Sequence, residues 1–203
     1  MGPVRTNDSS FTTIILASGL SERMGRPKAM LPWEGRVTFL EKIAAEYLAA
    51  GCTRLVCTIN RQFLPYARTF GNIQNLMVVL NEHPEYGRMH SLKLGFKASM
   101  ESPYFFVQNV DNPFIRAETI RKIHAAKDPL AWCSPEFEHR RGHPVLIPAS
   151  IAQRIMEEDT PGVTLHDLLD RHLRKTVEIG DDSILKNVNT PEDYISLFGN
   201  TLL

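Results

Sequence analysis

Short apolar runs recur along this chain, separated by longer stretches in which apolar residues return every three or four positions. The runs cover residues 14–17, 54–60, 76–80, 104–110 and 130–134. Each is continuous and bounded by polar or turn-forming residues, the pattern of a strand buried on both faces. Between them the spacing predicts helices over residues 38–51, 62–70, 91–100 and 117–126. Thr38 and Glu41 have the arrangement of a capping box, and Gly51 suits a left-handed stop. Ser91 is the expected N-cap of the third helix. Strands alternating with helices at this spacing predict a parallel sheet covered by helices on both faces.

Residues 137–148 break that rhythm. Arg140-Arg-Gly-His-Pro-Val-Leu-Ile-Pro148 reads as a loop feeding an irregular or antiparallel strand, which would make the sheet mixed. Beyond it the pattern predicts helices over 149–158 and 164–172, then short strands over 176–179 and 184–188. Thr190 then caps a last helix that has Pro191 at its first position. Internal repeats, low-complexity segments and linkers are lacking. Residues 11–203 are therefore read as one domain behind a polar tail, residues 1–10, that lacks the apolar stretch of a signal peptide.

Bulk composition narrows the partners. Lys and Arg together number 23, as do Asp and Glu, so no global field favours nucleic acid or an anionic membrane. Apolar runs fall short of the ~18 residues that span a bilayer. Cys52, Cys57 and Cys133 form no C-x-x-C pair and are expected as small buried apolar residues in a reducing cytosol, so the location is read as cytoplasmic. Any preference for phosphate must be local.

It is local to the segment after the first strand. There Gly19, Ser21 and Gly25 keep the chain open while Arg23, Arg26 and Lys28 load it with positive charge. Backbone N–H groups converging on one concavity beside cations suit a polyphosphate. The plainer reading is an ordinary strand-to-helix connection with solvated basic residues, but such connections are typically ~2–6 residues long. Two familiar phosphate loops fail. Lys28 is followed by Ala29, against the G-K-[ST] of the ATPase loop, and Gly19-Leu20-Ser21 lacks the second glycine of the dinucleotide fingerprint.

In an open parallel sheet, ligands lie beyond the carboxyl ends of the strands. Asp111 ends the most apolar run, where it is either a Mg²⁺ ligand acting with substrate phosphates or a turn-forming residue before Asn-Pro. Asn187 and Asn189 offer neutral metal ligands, or Asn189 merely precedes the Thr190 cap. His143, in Gly142-His-Pro, faces a second substrate or is structural. Arg88, His90 and Ser91 form a corner at the expected start of the third helix, where an anion is welcome.

The segment Leu16-Ala-Ser-Gly-Leu-Ser-Glu-Arg-Met-Gly-Arg-Pro-Lys-Ala-Met-Leu-Pro32 resembles the signature loop of the MobA-like nucleotidyltransferases, the family of the molybdenum-cofactor cytidylyl- and guanylyltransferases. Residues 81–96, Gly142-His-Pro-Val-Leu and Asn187-Val-Asn-Thr-Pro-Glu-Asp-Tyr resemble further motifs of that family, in its order. The likeness runs from about residue 12 to 198 and is closest to the branch making the cytosine dinucleotide cofactor.

The resemblance implies a single Rossmann-like α/β domain with a mostly parallel, mixed sheet. It further implies that Leu16, Ala17, Ser18 and Gly19 line base and ribose. Arg23 and Lys28 would hold the triphosphate, and Asp111 with Asn189 or Asn187 would hold Mg²⁺. Arg23, Lys28 and Asp111 would carry catalysis, and Arg88, His90, Ser91 and His143 would face the acceptor.

The implied reaction is attack by an acceptor phosphate oxygen on the α-phosphorus of the nucleotide, releasing pyrophosphate without a covalent nucleophile. Positioning and charge neutralisation would do the catalysis. CTP is the favoured donor and molybdopterin the acceptor; GTP, or a sugar or alditol phosphate, is the alternative. Three departures stand out. Ser18 gives Ala-Ser-Gly where the cytidylyl branch has Ala-Ala-Gly, Val110 replaces a Gly, and Asn189 replaces the Asp of many relatives. The last two motivate a rival reading, a nucleotide-binding module without catalysis.

Overall fold

The first apolar run becomes a strand flanked on both sides by parallel neighbours, which accounts for its having no exposed face. A computed structural model describes residues 10–199, so the expected tail lies outside the described residues except for Ser10. In chain order, β1 (Thr12–Leu16) leads through two 3₁₀ turns to a small hairpin of β2 (Pro32–Glu34) and β3 (Val37–Thr38). Then come α1 (Phe39–Ala49), β4 (Arg54–Ile59), α2 (Leu64–Ala67), β5 (Leu76–Leu80), α3 (Gly87–Lys97), β6 (Tyr104–Asn109) and α4 (Ala117–Ala125). The rest comprises β7 (Ala131–Phe137), β8 (Arg140–Arg141), β9 (Val145–Pro148), α5 (Ala149–Glu157), α6 (Leu165–Leu169), β10 (Leu173–Glu178) and α7 (Pro191–Phe198).

The large sheet runs β10-β7-β9-β6-β1-β4-β5, with β8 paired to β7. All neighbours along this path are parallel except β9, which runs antiparallel between β6 and β7. This is the mixed sheet expected from the break near residue 140. The β7–β8 turn uses Glu138 and His139 at φ 48° and 60°, the left-handed backbone of a tight hairpin. β9 also explains how His143 reaches the rim. Because Val107 pairs with Val145 in antiparallel register, the start of β9 lies where β6 finishes.

Alternation along the strands feeds two cores. Ile15 and Phe106 join Leu40, Ile43, Tyr47 and Ile123 on one face, under α1 and α4. Ile14 and Phe105 join Leu92, Phe96 and Ile151 on the other, under α3 and α5. α3 sits unusually close to β1, since a Cβ on Gly95 would lie 2.5 Å from Ile14 Cγ2. A third, aromatic cluster of Met24, Leu31, Phe39, Val188 and Tyr194, with Trp33, Phe114 and Phe198 against it, ties the basic loop to α7. Tyr194 Oη donates to the Pro32 carbonyl at 2.9 Å, closing that tie.

Three local expectations are corrected. Ser91 does not cap α3, which begins at Gly87 after a 3₁₀ turn over Pro84–Tyr86. The chain is already wound when it reaches Ser91, and the serine hydroxyl is committed to tertiary bonds instead. His90 consequently lies inside the helix and not ahead of it. Residues 184–188 are not a strand: Asp181 caps a 3₁₀ turn over Asp182–Leu185, and Val188 N–H then bonds the Asp111 carbonyl at 2.8 Å. α6 is shorter than predicted, and β10 starts earlier, at Leu173.

The capping box at Thr38–Glu41 and the Thr190 cap are present as read, and Asp193 completes a capping box with Thr190. The cysteines are free and buried, and burial pushes the Cys57 thiol up to about 12. No described helix is long and apolar enough to cross a membrane.

Candidate active site

The parallel strands β1, β4, β5 and β6 end on one rim, and each hands over to polar residues there: Ser18, Asn60, Asn81 and Asn109. Two of these asparagines shape the basic loop. Asn60 Nδ2 donates to the carbonyls of Ser18 and Gly19 at 2.9 and 3.2 Å, fixing the turn out of β1. The Ser18 hydroxyl lies 2.5 Å from that of Ser91, which in turn accepts from Asn81 Nδ2 at 2.9 Å. Strands β4 and β5 and helix α3 thus grip the loop from behind. Further on, Ser21 and Gly25 take positive φ, of 52° and 65°, and Met24 and Leu31 anchor the loop in the aromatic cluster.

A cleft of about 520 Å³ opens between that loop, the start of α3 and the end of β6. Leu16, Ala17, Ser18 and Gly19 form one wall, with Arg23 and Lys28 beyond them. Val110, Asp111 and Asn189 form the facing wall. Lys28 crosses the gap: its Nζ donates to Asn189 Oδ1 at 2.7 Å and lies 3.6 Å from Asp111 Oδ2. Although Arg23 and Lys28 belong to the same loop, only Arg23 is exposed, whereas the Lys28 side chain is 15% accessible. Burial lowers the Lys28 ammonium's pKa, Asp111 opposes that, and the Arg23 charge adds to it.

The second oxygen of Asp111, Oδ1, is buried and has no hydrogen-bond partner among the described residues. A buried carboxylate oxygen left this way calls for a partner such as an ordered water or an ion. No group of three or more His, Cys, Asp or Glu side chains is gathered to hold a metal among the described residues. The donor set therefore fits a hard cation held by one carboxylate, an amide oxygen and the oxygens of a substrate.

A second cleft, of about 840 Å³, shares Leu16, Gly87 and Arg88 with the first. His90, His143, Arg141 and Trp132 line it, together with the segment from Glu158 into the start of α6 at Leu165. Trp132 Nε1 donates to the Leu169 carbonyl at 2.9 Å, which fixes the indole as part of an apolar wall. Arg88 stands between the clefts and donates to Asn109 Oδ1.

The candidate residues are therefore distributed as follows. Leu16, Ala17, Ser18, Gly19, Arg23, Lys28, Asp111 and Asn189 meet in the first cleft, while His90 and His143 line the second and Arg88 lines both. Ser91 lines the first cleft and not the second, with its hydroxyl already taken by Ser18 and Asn81. Asn187 is exposed and lines neither. Asn60, Asn81, Asn109 and Trp132 were not among the candidates. The asparagines had a visible signal, since each closes an apolar strand at the rim where ligands bind.

His143 carries a pH prediction. Burial lowers its pKa first, the Arg88 charge lowers it further, and Asp111 opposes them. The fold thus prefers neutral His143. The stability this gives is complete above the ordinary imidazole value of about 6.5 and is lost as the pH falls through the lower, folded value. His143→Gln should accordingly lose less thermal stability than the parent between about pH 7.5 and pH 5.5, as followed by thermal unfolding. Parallel losses would show that His143 is not the group responsible.

Comparison with known proteins adds a further line. A model of the MobA-like NTP transferase domain matches residues 13–177. The molybdenum cofactor cytidylyltransferase of Escherichia coli is 28% identical, over 93% of this chain and 95% of its own length. Nicotine blue oxidoreductase of Paenarthrobacter nicotinovorans is 26% identical, over 92% of this chain and 95% of its own. Among solved structures, a Mycobacterium tuberculosis protein in complex with manganese has the same fold, with a TM-score of 0.76 at 19% identity over 94% of this chain and 99% of its own.

Proposed function

We propose that this chain, which belongs to the MobA-like NTP transferase family and is a nucleotidyltransferase, moves CMP from CTP onto a phosphorylated acceptor of the molybdopterin type. The observation that carries the reading is the meeting of Lys28, Asp111 and Asn189 in one cleft beside the glycine-containing loop. Cations for a triphosphate and oxygen ligands for a metal thus face each other within the span of a single nucleotide.

The residues divide the work between the two clefts. Leu16, Ala17, Ser18 and Gly19 receive base and ribose. Ser18 is nine-tenths buried with its hydroxyl held by Ser91, so it presents little more to a base than the alanine of the cytidylyl branch would. That supports CTP as donor, as does the Escherichia coli relative. Arg23 and Lys28 take the β- and γ-phosphates and stabilise the leaving pyrophosphate.

Asp111 and Asn189 would hold Mg²⁺, with Asn187 too exposed to assist. When bound there, the ion supplies charge neutralisation at the α-phosphate. Arg88, between the clefts, lies where the acceptor phosphate must meet the nucleotide, and His90 and His143 line the space for the rest of the acceptor. Ser91 acts by holding Ser18. The buried free thiols support a cytoplasmic setting.

The test is pyrophosphate release with each of the four NTPs and Mg²⁺ or Mn²⁺, across molybdopterin and sugar- or alditol-phosphate acceptors. Turnover requiring CTP and molybdopterin is the expected result. Turnover with GTP alone would move the reading to the guanylyl branch. A sugar-phosphate acceptor outperforming molybdopterin would overturn the acceptor assignment.

A further inference from the structure

One ammonium faces both of the oxygens proposed to hold the metal, Asn189 Oδ1 at 2.7 Å and Asp111 Oδ2 at 3.6 Å. We infer that Lys28 is the resident counter-ion of the Asp111–Asn189 position, and that a divalent cation takes its place only when nucleotide phosphates draw the lysine away. The inference rests on the nucleotidyltransferase reading of the first cleft.

The backbone that carries the two oxygens is held on either side. Asn189 N–H is held by Asp193 Oδ2 at 2.8 Å, within the capping box of α7, and the Asp111 carbonyl accepts Val188 N–H at 2.8 Å. Lys28 starts from an equally fixed backbone, in the 3₁₀ turn Lys28–Met30 with Ala29 buried. What remains free to move is its flexible four-carbon stem. The ammonium hydrogen-bonds Asn189 Oδ1 at 2.7 Å and lies 3.6 Å from Asp111 Oδ2, so a divalent cation drawn to the same two oxygens would compete with it for their charge and lone pairs. Two cations so close would also repel each other in a partly buried site.

The lysine therefore competes with the metal while it keeps the Asp111 carboxylate paired in the nucleotide-free cleft. A nucleotide reverses the balance. Its phosphates give the ammonium a new partner on the Arg23 side of the cleft and bring further oxygens to the metal. Metal and nucleotide then bind with positive coupling, which by linkage is reciprocal.

Titrating nucleotide-free protein with Mn²⁺, following the free-ion EPR signal, tests the idea directly. Lys28→Met is expected to bind Mn²⁺ at least about tenfold more tightly than the parent, because a competing charge is gone. Lys28→Gln reports the same way should the methionine variant fail to fold. Adding Asp111→Asn to either variant should abolish the gain. Adding α,β-methylene CTP should raise Mn²⁺ affinity far more in the parent than in the neutral variants, where no lysine remains to be displaced.

Equal Mn²⁺ affinity in the parent and both neutral variants, lost in each on Asp111→Asn, would overturn the counter-ion role while leaving the metal position intact. Mn²⁺ binding indifferent to Asp111→Asn would instead overturn the assignment of the site itself, and this inference with it.

Discussion

Asp111→Asn should lower turnover by about a hundred- to a thousand-fold, the range seen when one preorganised electrostatic partner of a transition state is removed. The substitution keeps size and shape but deletes the carboxylate charge from the proposed metal position. The fold should tolerate it. Lys28 keeps its 2.7 Å bond to Asn189, and the backbone bond from Val188 to the Asp111 carbonyl does not involve the altered side chain. The lost ion pair is long, at 3.6 Å, with 28% of the Asp111 side chain accessible, so stability should change by no more than about 1 kcal/mol. Metal-free nucleotide binding should hold or tighten, since a negative charge facing the phosphates has gone. Pyrophosphate release, thermal unfolding and equilibrium binding of CTP without metal measure the three effects. Activity within about tenfold of the parent would remove Asp111 from the metal position.

That one rim could be read from sequence at all follows from chain connectivity. A parallel sheet puts the ends of β1 and β6 side by side whatever covers its faces, and the register pairing Leu16 with Asn109 brings the basic loop against Asp111. Loop composition and the apolar run before Asp111 were local signals, so both were legible. Features set by tertiary contacts were not. The 3₁₀ turn at Pro84–Tyr86 started α3 ahead of Ser91 and moved His90 into the helix. The strand expected over residues 184–188 had the right apolar residues, but Asp181 capped a turn there, and Ile184 and Val188 are buried in two different clusters instead of along one strand. Basic residues on a loop are ordinarily solvated, and nothing in the order Arg23, Arg26, Lys28 announced which would fold inward. Lys28 does so because the segment leading into α7, carried round by the aromatic cluster, presents Asn189 to it, with the Asp193 charge nearby.

The second cleft should prove separable from the first through Gly142. A Cβ added there would lie 2.5 Å from the Ile184 carbonyl oxygen and 2.7 Å from the Ile184 Cβ. Neither atom yields easily. Ile184 is 1% exposed, and its carbonyl accepts the His143 N–H at 3.0 Å, while Gly142 N–H is itself held by the Pro135 carbonyl at 3.0 Å. Gly142→Ala must therefore push the start of β9 away from the 3₁₀ turn, at a cost of about 1–3 kcal/mol, as for other overpacked sites. Each kcal/mol should appear as a fall of about 2–4 °C in Tm for a chain of this size. His143 moves with the displaced backbone, so KM for the acceptor should rise. Gly142 and His143 line the second cleft and not the first, so KM for the nucleotide should change little. Thermal unfolding together with the two KM values decides the matter. A rise shared equally by both substrates would mean that the clefts are coupled through Leu16, Gly87 and Arg88, and that the acceptor space is not the independent unit its lining suggests.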